Sequence, residues 1–244
     1  MKSLVIYAFF VIGLIRTLPA LLSLSHKKNT YSRQEYLEFC QGVGRRFAES
    51  QLEFANAKVT VYGAENVPEG AVLFVSNHPS FFDICVFLAC IPRMSAFVAK
   101  SELARIPILK RWMTEYGCIF LDRSDIKKSA KSINSGIDIL KSGCSLIIFP
   151  EGTRSKGPTT LDFKAGSFKL ATKSKVPIVP VTIDGTYKLL EAYDGTIKPI
   201  PVDVYIHPPI STRDLTQEEG AALYSKVRDM ICAKLPALKH HNEG

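Results

Sequence analysis

The chain has 244 residues, 46% hydrophobic and 22% charged, with 15 glycines and 14 prolines. That balance excludes a disordered or collagen-like chain and leaves ample length for one large domain, or a domain with an appendage. Lys and Arg number 31 against 23 Asp and Glu, and the resulting +8 suits nucleic acid, an acidic membrane surface or a phosphorylated metabolite without choosing among them.

Leu4 to Ile15 is an unbroken apolar run, and only Arg16, Thr17, Pro19 and Ser23 interrupt it as far as Leu24. The clean run is shorter than the ~20 residues that span a bilayer. Extending it to Leu24 places Arg16 and Pro19 inside the span, while Lys2 with Ser23-Leu24-Ser25 also fits a cleavable signal. A shallowly inserted anchor is the third reading. Tyr36, Cys40, Val43 and Phe47 then recur at helical spacing, near the basic residues His26, Lys27, Lys28, Arg33, Arg45 and Arg46. Such a helix either meets anionic headgroups, at about 1 kcal/mol per charge, or packs on a core in the ordinary way. Residues 1–56 are therefore read as a hydrophobic and amphipathic two-helix membrane anchor, and 57–244 as a separate domain.

From Ala57 onward short β-branched or apolar runs alternate with helical stretches. Strands are expected at 58–62, 71–75, 96–99, 118–121, 145–149, 178–183 and 202–206, and helices at 80–90, 102–115, 126–140, 165–173 and 217–235. This alternation indicates an α/β domain, a mixed sheet flanked by helices, in which ligands gather at strand ends. Cys40, Cys85, Cys90, Cys118, Cys144 and Cys232 form no CxxC and no zinc spacing, so they are read as small buried hydrophobes in a reducing compartment, with no metal or cofactor site.

Four clusters follow strands or form one. In Asn77-His78-Pro79-Ser80-Phe81-Phe82-Asp83, Asp83 lies within reach of His78, and a carboxylate on one ring nitrogen leaves the other free to take a proton. The same residues fit a helix capping box, Ser80 with Asp83. Gly117 to Arg123 is a strand ending in a guanidinium, which reads equally as a strand-end ion pair involving Asp122. Phe149-Pro150-Glu151-Gly152-Thr153-Arg154-Ser155 is a turn whose N–H groups and Arg154 suit an oxyanion or phosphate, or else a solvated surface turn. Gly152 to Thr159 has the glycine spacing of a P-loop, but Pro158 stands where its lysine belongs, which rejects a nucleotide site. Val176-Pro177-Ile178-Val179-Pro180-Val181 carries two prolines, pointing to an edge or irregular strand along a hydrophobic surface. There is no G-x-S-x-G, HExxH or GxGxxG, so the His78/Asp83 pair suggests direct attack by a substrate hydroxyl.

In this order the clusters resemble the four blocks of the glycerophospholipid acyltransferase family, and most closely its lysophosphatidic acid acyltransferases. NHxSxxD is matched by Asn77, His78, Ser80 and Asp83; G-x-x-F-[IV]-x-R by Gly117 to Arg123, with Leu121 a conservative departure; FPEGTRS and VPIVPV are complete, and Phe163-Lys164-Ala165-Gly166 follows as in many members. The resemblance covers about Val59 to Ile206. It implies an enzyme moving a fatty acyl group from acyl-CoA or acyl-carrier protein to the sn-2 hydroxyl of lysophosphatidic acid, giving phosphatidic acid, with no acyl-enzyme, cofactor or metal. His78 is then the general base with Asp83 as its partner, Arg123, Arg154 and, more weakly, Lys100 hold the phosphate, and Glu151, Gly152 and Thr153 shape the acceptor pocket. Apolar residues of 80–90 and 176–181 are expected to form a groove selecting chain length. The expected setting is a membrane surface with anionic lipids, the active domain facing the cytoplasm (the inner membrane in a bacterium), without nucleic acid. Other acceptors stay open (glycerol-3-phosphate, a lysophospholipid or a lyso-aminolipid), as does a non-catalytic lipid-binding protein.

Overall fold

The computed structural model describes residues 2–122, 125–192 and 199–236. Three N-terminal helices come first: α1 (Lys2–Arg16), α2 (Leu18–Thr30) and α3 (Arg33–Phe54). α1 and α2 are nearly continuous, with Thr17 at the break and Pro19 in the first turn of α2, where its missing N–H costs nothing. Ser32 starts α3 through a complete capping box with Glu35. The result is a helical hairpin, as expected. Its buried Ile6, Ala48 and Leu52 join the core of the sheet, so the hairpin is packed on the α/β body.

The body contains β1 (Ala57–Tyr62), β2 (Leu73–Ser76), α4 (Asp83–Cys90), β3 (Ser95–Lys100), α5 (Pro107–Glu115), β4 (Ile119–Leu121), α6 (Ile126–Lys141), β5 (Ser145–Ile148), α7 (Lys169–Ser174), β6 (Ile178–Asp184), β7 (Ile200–Ile206) and α8 (Gln217–Cys232). Every expected strand is present. The single helix expected over 102–115 is instead a 3-10 turn, Ser101–Arg105, followed by α5, because Pro107 can open a helix but cannot continue one. The helix expected over 165–173 likewise begins as a 3-10 turn, Ala165–Phe168, before α7.

The sheet order is β1-β7-β6-β2-β5-β3-β4. β6, β2, β5, β3 and β4 are mutually parallel, while β7 runs antiparallel to β6 and parallel to β1. Alternating residues of β2 feed two cores. Val72, at its entry, and Phe74 face α3 and α4, whereas Leu73 and Val75 face α6, α7 and α8. Because the central strands are parallel, their C-terminal ends lie along one edge, and three of the four sequence clusters sit there.

The fourth does not behave as its prolines suggested. β6 is an interior strand, hydrogen-bonded to β2 on one side and β7 on the other. Ile178 exchanges both bonds with Ile210, and the Pro180 carbonyl accepts from the His207 N–H, so the strand stays bonded on both sides and Pro180 costs it a single donor. The cysteine expectation holds for Cys40, Cys85 and Cys232, which are buried; Cys144 is exposed in the turn after α6.

Candidate active site

His78 follows β2, whose last residues turn out of the sheet. Asn77 fastens that turn: its side chain accepts from the Ile183 N–H and donates to the Ile183 carbonyl, both at 2.8 Å, occupying a backbone pair of β6. The His78 Nδ1 lies 2.7 Å from Asp83 Oδ2 at the start of α4. Asp83 is fully buried and also accepts from the Ser80 N–H at 2.8 Å and from the Thr186 hydroxyl at 2.6 Å. The capping-box geometry is thus half present, and the same carboxylate serves helix and imidazole together. A carboxylate oxygen against Nδ1 favours the tautomer with its proton there, which leaves Nε2 as the ring's acceptor. The ring stacks on Phe149, centroids 4.1 Å apart at 16°, and keeps 16% side-chain exposure.

The Phe149–Ser155 turn closes against this loop. The His78 N–H donates to Glu151 Oε1 at 2.7 Å, the Leu161 N–H to Oε2 at 2.9 Å, and the Ser155 N–H to the His78 carbonyl at 2.9 Å. Gly152, at φ +80°, lets the chain reverse directly after Glu151. Burial pushes the Glu151 carboxyl above its ordinary value, and the Leu161 and His78 N–H groups oppose that shift. Glu151 therefore holds the base loop in place as a buried acceptor.

Arg154 Nη1 donates to Glu191 Oε1 at 2.9 Å, and Glu191 also accepts from the Ser80 hydroxyl and the Phe81 N–H. Lys100 ends β3 and lines a cleft of about 280 Å³ with Glu102, Asp122, Glu151, Gly152, Thr153 and Lys164. The ion pair read for Asp122 is present, with Lys128 at 3.7 Å. Arg123 lies outside the described residues. Thr186, Glu191 and Lys164 were not singled out as site residues by sequence reasoning; the first two carry no periodic or turn signal, and Lys164 was visible only as part of the Phe163–Gly166 match.

A second, apolar cavity of about 140 Å³ is walled by Phe81, Ile84, Cys85 and Leu88 of the loop after β2 and α4, and by Phe10 and Trp112 from α1 and α5. The expected contribution of helix 80–90 is there. That of 176–181 is not, because β6 is buried within the sheet. Burial drives the Cys85 thiol up to about 12 and the Cys118 thiol up to about 11, so neither supplies a nucleophilic thiolate.

A His–Asp pair on a loop that runs between a cleft of mixed charge and an apolar cavity suits deprotonation of an alcohol on an amphiphile. The acyltransferase family model matches residues 58–184, which include all four clusters. The chain belongs to the acyltransferase family. Among relatives, a 1-acyl-sn-glycerol-3-phosphate acyltransferase of Borreliella burgdorferi is 33% identical over 189 residues, 77% of this chain and 76% of that protein. One from Saccharomyces cerevisiae is 36% identical over 176 residues, 71% of this chain, which spans 58% of the yeast protein's length. The crystal structure of the 1-acyl-sn-glycerophosphate (LPA) acyltransferase PlsC from Thermotoga maritima has a TM-score of 0.82 at 28% identity, over 98% of this chain and 96% of that one. In this member of the family, α1 and α2 also provide a stretch, Leu4–Thr30, long and apolar enough to cross a membrane.

Proposed function

We propose that this acyltransferase moves a fatty acyl group from a thioester, acyl-CoA or acyl-carrier protein, to the sn-2 hydroxyl of lysophosphatidic acid, yielding phosphatidic acid. The observation carrying the reading is the buried Asp83 carboxylate 2.7 Å from His78 Nδ1, on a ring that keeps 16% side-chain exposure. His78 Nε2 takes the hydroxyl proton as the oxygen attacks the thioester carbonyl carbon. The tetrahedral intermediate collapses by breaking the C–S bond, and the proton passes from His78 to the departing sulfur. A thiolate leaves easily, since its conjugate acid has a pKa near 8.5, and no covalent enzyme intermediate is required.

The acceptor phosphate is assigned to Arg154, Arg123 and Lys100, with Lys164 added from the cleft it shares with Lys100. At an effective dielectric near 20, a unit charge pair at 4 Å gains roughly 4 kcal/mol, against about 1 in water, so the partly buried Arg154 should outweigh the exposed Lys100 and Lys164. Glu151, Gly152 and Thr153 shape the acceptor side of the cleft, and the cavity lined by Phe81, Ile84 and Leu88 takes an acyl chain. Residues 1–56 act as the membrane anchor of the 57–244 catalytic domain. Supporting this, Leu4, Val5, Ala8, Val11, Ile12 and Ile15 form one exposed apolar stripe along α1. The active site faces the cytoplasm, where thioester donors are made.

The test is transfer of labelled acyl groups from CoA and carrier-protein thioesters to a panel of lysophosphatidic acid, glycerol-3-phosphate, lysophospholipid and lyso-aminolipid. Lysophosphatidic acid should be the preferred acceptor, and His78→Ala should abolish transfer while leaving membrane association intact. Turnover confined to unphosphorylated acceptors, or full activity in His78→Ala, overturns the reading.

A further inference from the structure

Glu191 is a buried carboxylate, 6% side-chain exposed, lying beyond the last family block and beyond the matched region. It accepts three hydrogen bonds from two different blocks: the Ser80 hydroxyl at 2.6 Å, the Phe81 N–H at 3.1 Å, and Arg154 Nη1 at 2.9 Å. Ser80 and Phe81 belong to the loop that carries His78 and Asp83, and Arg154 belongs to the turn after β5. Five residues before Glu191, Thr186 donates to Asp83 Oδ1 at 2.6 Å. The segment between them is short and well anchored. It begins at Gly185, whose φ of +94° is open to glycine, passes through a 3-10 turn, and buries Leu189 and Leu190 in the core.

One short span therefore grips the base loop at two points, and at the second it holds the guanidinium as well. A lone Arg154 side chain has many rotamers, and a carboxylate that binds both it and the Phe81 N–H fixes its distance from His78. Charge-assisted bonds of this kind are among the stronger ones available, and the Glu191 carboxylate is largely shielded from water.

We propose that Glu191 is a positioning residue that locks Arg154 in register with the His78 base, so that phosphate binding delivers the acceptor hydroxyl to Nε2. This rests on the reading of His78 as base and Arg154 as phosphate ligand. In Glu191→Ala, kcat should fall about tenfold or more and the acceptor KM should rise by a similar factor, with donor KM unchanged, because misplacing a bound acceptor loses proximity. Glu191→Gln, which keeps the shape and an acceptor for Phe81 but not the charge on Arg154, should recover part of the kcat and little of the KM. The Glu191→Ala/Arg154→Ala double variant should be no worse than the poorer single one, since both break the same link.

Parent-like kcat and acceptor KM in a folded Glu191→Ala overturns the proposal, as do losses that multiply in the double variant. If Glu191→Ala does not fold, parent-like kinetics in Glu191→Gln overturn it equally. His78→Ala run alongside separates the two failures: an active His78→Ala sinks the underlying reading, whereas an inactive one beside a parent-like Glu191 variant sinks the positioning role alone.

Discussion

Asp83→Asn removes one charge and leaves the shape. Asp83 has three donors around it, His78 Nδ1, the Ser80 N–H and the Thr186 hydroxyl. In the asparagine the amide oxygen can take the position facing His78 and Ser80, while the amide nitrogen faces Thr186, whose hydroxyl rotates to accept. Folding should survive this exchange with a loss of about 1–2 kcal/mol. Catalysis should not. When Nε2 accepts the substrate proton the ring becomes cationic, and its charge centre lies roughly 4 Å from the carboxylate, worth about 4 kcal/mol at an effective dielectric of 20. Full burial of Asp83 and the ring's 16% side-chain exposure justify that dielectric over the value for water. At 1.36 kcal/mol per decade, kcat should fall about 10³-fold. The acceptor KM should hardly move, because neither residue grips the phosphate. Initial rates of thiol release from acyl-CoA with lysophosphatidic acid varied, together with a thermal melt, measure both. A folded Asp83→Asn enzyme with kcat within about threefold of the parent refutes the electrostatic role.

Three further outcomes are expected. Gly185→Ala places a Cβ 2.3 Å from the Pro201 carbonyl oxygen at a φ of +94°; it should cost about 3 kcal/mol and lower Tm by roughly 10 °C, whereas Gly70→Ala, in open space at φ +81°, should cost only about 1 kcal/mol. Equal melts for the two would refute the steric account. Burial and the Lys234 charge hold the His207 imidazole below its usual 6.5. The unfolded chain then takes that proton first, so stability present above about 6.5 is lost as pH falls below it. His207→Gln should flatten the decline of Tm from neutral pH to about 5, and an unchanged slope would count against the assignment. Finally, Val11→Lys with Ile12→Lys puts charge on the apolar stripe at about 2.5–3.5 kcal/mol each if it meets the bilayer interior, so vesicle co-sedimentation should drop sharply. Undiminished pelleting would show that this face is not the membrane contact.

Much of the architecture was legible without coordinates because it is written locally. β-branched runs between turn residues located all seven strands, and the 3.6-residue spacing of Tyr36, Cys40 and Val43 marked the buried face of α3. The spacing of His78 and Asp83 allowed their contact, since five residues of chain span the distance. The prolines of 176–181 misled, because whether an absent N–H matters depends on what stands beside the strand. At Pro180 only one donor is missing, and its carbonyl still accepts from the His207 N–H.

Residue types and their order along the chain determined the α/β class, the pairing of His78 with Asp83, and the turn that carries Arg154. Only tertiary structure decided that Thr186 buttresses Asp83 across 103 positions and that Glu191 joins Ser80 to Arg154 across 111 and 37. Helical and strand periods are set by near neighbours and leave a trace in sequence, whereas the partner of a buried polar atom is chosen by how a parallel sheet brings distant strand ends to one edge. A single threonine or glutamate carries no mark of where it will be placed.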